Sequence, residues 1–211
     1  MLPRDKNTSP IAALSTRSKA LAYVDFLLIQ EQIKQKNATE ALKLLEKAEL
    51  PRLQRVWALT EIAQIFRRAD FSQAVSLLGE ALAETRRMEA SDPQRVQGLL
   101  AIAAKLFELD RPRTWEVMSE AIRAANNADN FTGEDGQLNA RLQSDNFVAI
   151  IPVNVPTFNL APIFTLLAQE DYYQAISLAH NLSGESPRSA ARLAIAASLL
   201  KSEPAKPIKR R

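Results

Sequence analysis

The chain repeats itself at a fixed distance. Arg55-Val56 recurs as Arg95-Val96, Ile62-Ala63 as Ile102-Ala103, Asp70 as Asp110 and Glu80-Ala81 as Glu120-Ala121, each separated by 40 residues. One such coincidence carries no weight, but four in a single register define a structural unit. A period in the range of roughly 20–50 residues is the signature of stacked supersecondary units, none of which buries its apolar face alone.

The unit is helical. Over Pro51–Arg68, the residues Val56, Leu59, Ile62, Ala63 and Phe66 recur at helical spacing, and over Phe71–Met88 so do Ala74, Val75, Leu78, Ala81 and Leu82. Only Ala69-Asp70 separates the two, and so short a break forces an antiparallel hairpin. The next copy opens at Asp92-Pro93, a capping carboxylate followed by proline at the first helical position. Its inward stripe is Val96, Leu99, Ile102, Ala103 and Leu106; Asp110-Arg111-Pro112 turns the chain, and Trp115, Met118, Ala121, Ile122 and Ala125 mark the return helix. Upstream, Ala20–Ile29 and Thr39–Leu50 are further helical stretches. Downstream, Asp171–Leu178 matches Asp70–Leu77, and Ser186-Pro187-Arg188 opens a closing helix through Leu200, with Ile195-Ala196 in the place of Ile62-Ala63.

Composition agrees. Only 5 glycines occur in 211 residues, which argues against a β-rich or phosphate-loop fold, whereas alanine and leucine favour helix. No cysteine is present, which removes disulfides, thiol catalysis and thiolate zinc sites. The net charge of +3 sets no strong demand for nucleic acid or a membrane surface. No stretch reaches the length of a membrane span and Met1–Pro10 lacks a secretion signal's apolar core, so the expectation is a soluble, cytoplasmic chain.

The helix pairs resemble tetratricopeptide repeats, which place small residues where two helices cross and a large one a turn away. Leu59, Ile62, Ala63 and Phe66 resemble the family's first helix; Ala74, Leu78 and Ala81 resemble its second, and Ala41 with Ala48 keeps the same seven-residue spacing. The resemblance covers roughly residues 38–128 and 160–200. Departures are plain: Ala63 and Ala103 replace the usual first-helix glycine, the turn is one residue shorter, and the period is 40 where the family's is about 34. The chain is also similar to uncharacterised bacterial helical-repeat proteins that carry Trp-Ala-Leu, Asp-Arg-Pro-Arg and Phe-Thr-Gly-Glu-Asp-Gly, seen here at 57–59, 110–113 and 131–136. These resemblances imply an all-α fold: a short right-handed α-solenoid of antiparallel helix pairs over residues 11–200. Residues 1–10 and the basic tail 201–211 read as loose ends.

Residues 126–159 interrupt the pattern. Asn126–Gly136 is turn chemistry throughout. Leu138, Ala140 and Leu142 then alternate with polar residues, and Phe147–Ile151 is a β-favouring run ended by Pro152 and Pro156, with Ser144-Asp145-Asn146 as a possible hairpin turn. Asn159 stands where it would cap the next helix. Such an insertion either projects over a binding face or covers one edge of the stack.

Catalytic chemistry finds little support. His180 is the one histidine and supplies neither a triad nor a histidine-rich metal site. Asp129, Glu134 and Asp135 crowd a glycine-containing loop, but the spacing fails the helix–loop–helix calcium pattern. No nucleotide-binding glycine pattern occurs, and the expectation is a chain with no cofactor, no metal and no catalysis.

The first helices of tetratricopeptide-like stacks line a concave surface, which makes Trp57, Glu61, Gln64 and Arg68 candidate partner contacts, with Gln97 the counterpart of Trp57 one repeat later. Trp57 has two readings, an exposed anchor for a peptide or a side chain packed on the preceding helix pair. The leading expectation is a protein–protein interaction scaffold taking an extended peptide or partner helix. The alternative is nucleic-acid binding through Arg67-Arg68, Arg86-Arg87, Arg111/Arg113 and Lys206–Arg211, although acidic residues interleave these arginines. A third is an enzyme with its site beneath the 126–159 loop. An exposed apolar strip on either end helix would indicate self-association.

Overall fold

The computed structural model describes residues 10–143 and 148–202. Among these are nine α-helices and one two-stranded sheet: α1 (Pro10–Lys34), α2 (Ala38–Lys47), α3 (Arg52–Phe66), α4 (Phe71–Arg86), α5 (Pro93–Leu106), α6 (Arg111–Asn127), β1 (Gln137–Gln143), β2 (Val148–Asn154), α7 (Leu160–Glu170), α8 (Tyr172–His180) and α9 (Glu185–Ser202). The fold is all-α with a small β insertion. None of the described helices is long and apolar enough to cross a membrane.

One turn is built three times. Asp70, Asp110 and Asp171 each hold extended backbone at the N-cap, with φ of −148°, −149° and −144°. Each carboxylate accepts from a backbone N–H three residues on: Gln73 at 2.9 Å, Arg113 at 3.1 Å and Gln174 at 2.9 Å. Each cap contributes about 1 kcal/mol. The same Asp70 and Asp110 donate their own N–H to Phe66 and Leu106 carbonyls at 2.7 Å, closing the preceding helix. Every break thus ends one helix and starts the next.

Helices α3 and α4 pack together, as do α5 and α6. The first helices α1, α3, α5 and α7 touch in succession, and α4 lies on α5. One continuous apolar core runs from Phe26 to Ile195. The 40-residue repeat is also electrostatic: Arg55 pairs with Glu80 at 2.8 Å, and their counterparts Arg95 and Glu120 lie 3.6 Å apart, each pair joining the two helices of one unit.

The insertion is the expected antiparallel hairpin, with Leu138 opposite Val153 and Ala140 opposite Ile151. Its turn at 144–147 lies outside the described residues, as do residues 1–9 and 203–211. Pro152 does not end the second strand; β2 passes through it to Asn154, with Pro152 opposite Asn139. A proline without an N–H is tolerated on the edge strand of a two-stranded sheet. A short 3-10 turn, Pro156–Phe158, follows. Asn159 does occupy the N-cap of α7, but its side chain makes no capping bond.

Candidate binding cleft

The insertion folds back onto the first-helix layer. Strand β1 packs against α1 and α3, and the Pro156–Phe158 turn packs against α5. Two glutamines fasten it. Gln54 on α3 donates from Nε2 to the Asn139 carbonyl at 3.3 Å, and Gln97 on α5 donates to the Asp135 carbonyl at 2.7 Å.

The loop leading into β1 is rigid by construction. Asn130 and Gly133 take left-handed backbone, with φ of 56° and 88°. The Asp135 carboxylate accepts from the Thr132 N–H at 3.2 Å and hydroxyl at 3.0 Å, and the Glu134 N–H donates to the Thr132 hydroxyl. Leu160 N–H donates to the Gly133 carbonyl and Val155 N–H to the Gly136 carbonyl, so the loop is tied to the start of α7. At Gly136 a Cβ would lie 2.5 Å from Asn159 Nδ2, and that close approach explains the glycine. Phe131 is buried. The Phe131–Gly136 sequence is therefore a strap that fixes the insertion.

Between strap and helices lies an open cleft of about 790 Å3. It is lined on one side by Pro51, Gln54, Gln94 and Gln97, from the starts of α3 and α5. On the other side stand Asp129, Asn130, Gln137 and Asn139. Asp92 and Pro93 start α5 as the sequence predicts, with the Asp92 carboxylate accepting from Gln94 N–H at 2.8 Å. At α3 the cap position is Pro51, whose side chain makes no capping bond. The first-turn N–H groups of α3 therefore lack a side-chain cap where they border the cleft. Among the described residues lining it there are two carboxylates and no lysine or arginine.

Of the five candidate contacts read from the sequence, only Gln97 lines this cleft. Trp57 is 6% exposed and packs on Phe26 of α1, ring centroids 5.3 Å apart and tilted by 51°. It is an internal contact with the preceding helix pair, and its placement as an exposed anchor is corrected: α1 covers that face. Gln97 is likewise buried, held by the insertion it fastens. Glu61 is half-buried and pairs with Lys105 at 3.0 Å; Gln64 is half-buried and Arg68 exposed. Gln54 and Gln94 were not singled out, although both precede an Arg-Val pair and stand 40 residues apart, so the repeat itself carried their signal.

The arginine pairs are largely engaged by carboxylates. Arg67 pairs with Glu108, Arg87 with Glu84 at 2.6 Å and Arg111 with Glu170 at 3.5 Å. Arg86 grips Glu120 through Nε and Nη2, the shortest bond being 2.7 Å. Those hydrogen bonds hold the Glu120 carboxyl below the usual range, with burial opposing and the nearby charge of Arg86 and Arg95 assisting. His180 is exposed on α8. Among the described residues no three histidine, aspartate or glutamate side chains cluster as metal ligands.

No protein-family model matches this chain, and neither does any curated protein or solved structure. The tetratricopeptide-like resemblance rests on the residues quoted above.

Proposed function

We propose that this chain is a non-catalytic helical-repeat module that binds an extended polypeptide in the cleft between α3, α5 and the insertion. The observation that carries this reading is the lining: six amide side chains (Gln54, Gln94, Gln97, Asn130, Gln137, Asn139) around a cavity of about 790 Å3. An amide presents both donors and an acceptor, as does each residue of an extended backbone, and a cavity of this size suits a short peptide segment. Asp129 and Asp135 then favour a ligand with a lysine or arginine side chain over an anion. Glu61 lies on the same face of α3 as Gln54 by their seven-residue spacing, and Arg68 follows in the turn after α3; with Gln64, they are where a longer ligand continues. The two carboxylates disfavour nucleic acid at this site, and among the described residues Arg67, Arg86, Arg87 and Arg111 are each paired with a glutamate.

The test is fluorescence anisotropy with labelled peptides of about ten residues, matched in sequence except for lysine or arginine content. Basic members bind, and Asp129→Lys weakens them about tenfold or more, consistent with reversing a charge beside a bound cation. Asp129 is exposed, so the fold survives the change, which circular dichroism checks. Binding that ignores both peptide charge and Asp129→Lys overturns the proposal. So does binding confined to a single-stranded oligonucleotide and abolished by salt.

A further inference from the structure

The two Arg–Glu pairs that recur at 40 residues are unequally complete. In the first unit, Arg55 donates from Nη1 to the Leu45 carbonyl at 3.1 Å and from Nη2 to Glu80 at 2.8 Å. In the second, Arg95 stands 3.6 Å from Glu120, and its Nε is buried with no partner. A buried donor without an acceptor costs free energy, so an under-used guanidinium at a repeated position calls for a reason.

Beside it is a second cavity, of about 350 Å3, lined by Ala90, Arg95, Glu120, Arg123, Ala124 and Asn127. It shares no lining residue with the cleft among the described residues. Glu120, Arg123, Ala124 and Asn127 fall at i, i+3, i+4 and i+7 on one face of α6, and α5 contributes Arg95. Three of those four differ from the first unit, where Ala83, Glu84 and Arg87 hold the equivalent places. There Glu84 pairs with both Arg52 and Arg87. The second unit has alanine for that carboxylate at 124 and a cation at 123. Arg123 is exposed and makes no ion pair or hydrogen bond among the described residues.

Glu120 is the one carboxylate among the described residues lining this cavity, and Arg86 holds both its oxygens. Of the carboxylates next in sequence to the lining, Asp92 caps α5, Asp129 lines the cleft, and Glu89 and Glu116 line neither. Asp129 N–H donates to the Ser91 carbonyl at 3.0 Å, so the end of α6 and the start of α5 lie side by side. Their opposed end charges offset one another and leave the field to the side chains. With Glu120 answered by Arg86, Arg95 and Arg123 lack a full counter-charge.

We infer that this cavity binds a phosphate group, as the free ion or on a small phosphomonoester. A carboxylate's two oxygens are filled by one guanidinium fork. A phosphate brings at least three terminal oxygens and a charge of about −1.5 to −2 at pH 7, enough for both arginines and the Asn127 amide. The site is independent of the peptide reading of the cleft.

Isothermal titration calorimetry of the full chain tests it, with inorganic phosphate, glycerol 3-phosphate and acetate as probes at matched ionic strength. The phosphate-bearing probes bind with a Kd on the order of 1 mM or tighter, and acetate does not. The tighter of the two names the source, ion or ester. Arg123→Gln weakens binding about tenfold or more, as expected for losing a charged hydrogen-bond donor. Arg87→Gln, at the place equivalent to Asn127 in the first unit, leaves the Kd unchanged. Both positions are exposed, and circular dichroism verifies folding. Three results overturn the inference: no saturable heat from either phosphate probe up to about 20 mM, acetate binding as tightly as phosphate, or equal weakening in Arg123→Gln and Arg87→Gln, the mark of general surface attraction.

Discussion

Trp57 and Gln97 occupy one place in successive helix pairs, and the units around them share the aspartate-capped turn between their two helices and an Arg–Glu pair. What differs is the neighbour. The α3–α4 unit meets α1, and a large ring at position 57 fills the space against Phe26. The α5–α6 unit meets the insertion, and an amide at 97 reaches the Asp135 carbonyl. One residue further, Ala58 has its counterpart in Gly98, where a Cβ would lie 2.8 Å from Thr85 Oγ1 and 3.4 Å from Val56 Cγ1. The shared residues build the unit, whereas the differing ones record what each unit touches.

The contrast can be broken by mutation. The largest effect is expected at Trp57→Ala, about 3–5 kcal/mol of stability lost in urea unfolding, as for other buried aromatic truncations. If that loss is under about 1 kcal/mol, Trp57 is not the packing residue its contact with Phe26 indicates. Next comes Gly98→Leu, about 1–3 kcal/mol from overpacking against Thr85; a thermal shift no greater than that of Ala58→Leu would erase the difference between the two crossings.

The ion pairs separate the units again. Glu120 serves Arg86 and Arg95 together and its side chain is mostly buried, whereas the Glu80 side chain is 43% exposed and pairs only with Arg55 among the ion pairs of the described residues. Glu120→Gln should cost about 1–2 kcal/mol, since Arg95 Nε is already buried without a partner, and Glu80→Gln about 0–1 kcal/mol. The sign with pH follows from the depressed Glu120 carboxyl. Its contribution is full above the unfolded-state value of about 4.3 and disappears as pH falls through the lower folded-state value. Melting temperatures from about pH 6 to about pH 3 should therefore fall less steeply in Glu120→Gln than in the unmodified chain. Gln97→Ala is also expected to cost little in global terms, about 1 kcal/mol, with its main signature in faster amide exchange across 135–139.

Much of this architecture was legible. The three aspartate breaks, the helix pairs and the alternating strands follow from local chemistry that nearby residues determine. What was not legible is where the insertion lies. Alternation at Leu138, Ala140 and Leu142 announces a strand with one apolar face but not the helices that face covers, and the same ignorance left Trp57 with two readings. Gly98 reads in isolation as a mild helix defect; its reason, the Thr85 side chain, belongs to the previous unit. Pro152 reads as a strand terminator because sequence does not disclose that the sheet stops at two strands.

The two glutamine clasps also set an order of events. The α3–α4 and α5–α6 hairpins close over short stretches of chain, while Gln54 meets Asn139 across 85 residues and Gln97 meets Asp135 across 38. Contacts between distant residues carry the greater loop-closure cost and form late. The cleft is thus assembled after the helix hairpins that form its wall, and a chain halted before the insertion docks presents the bare surface of α3 and α5 to whatever is nearby.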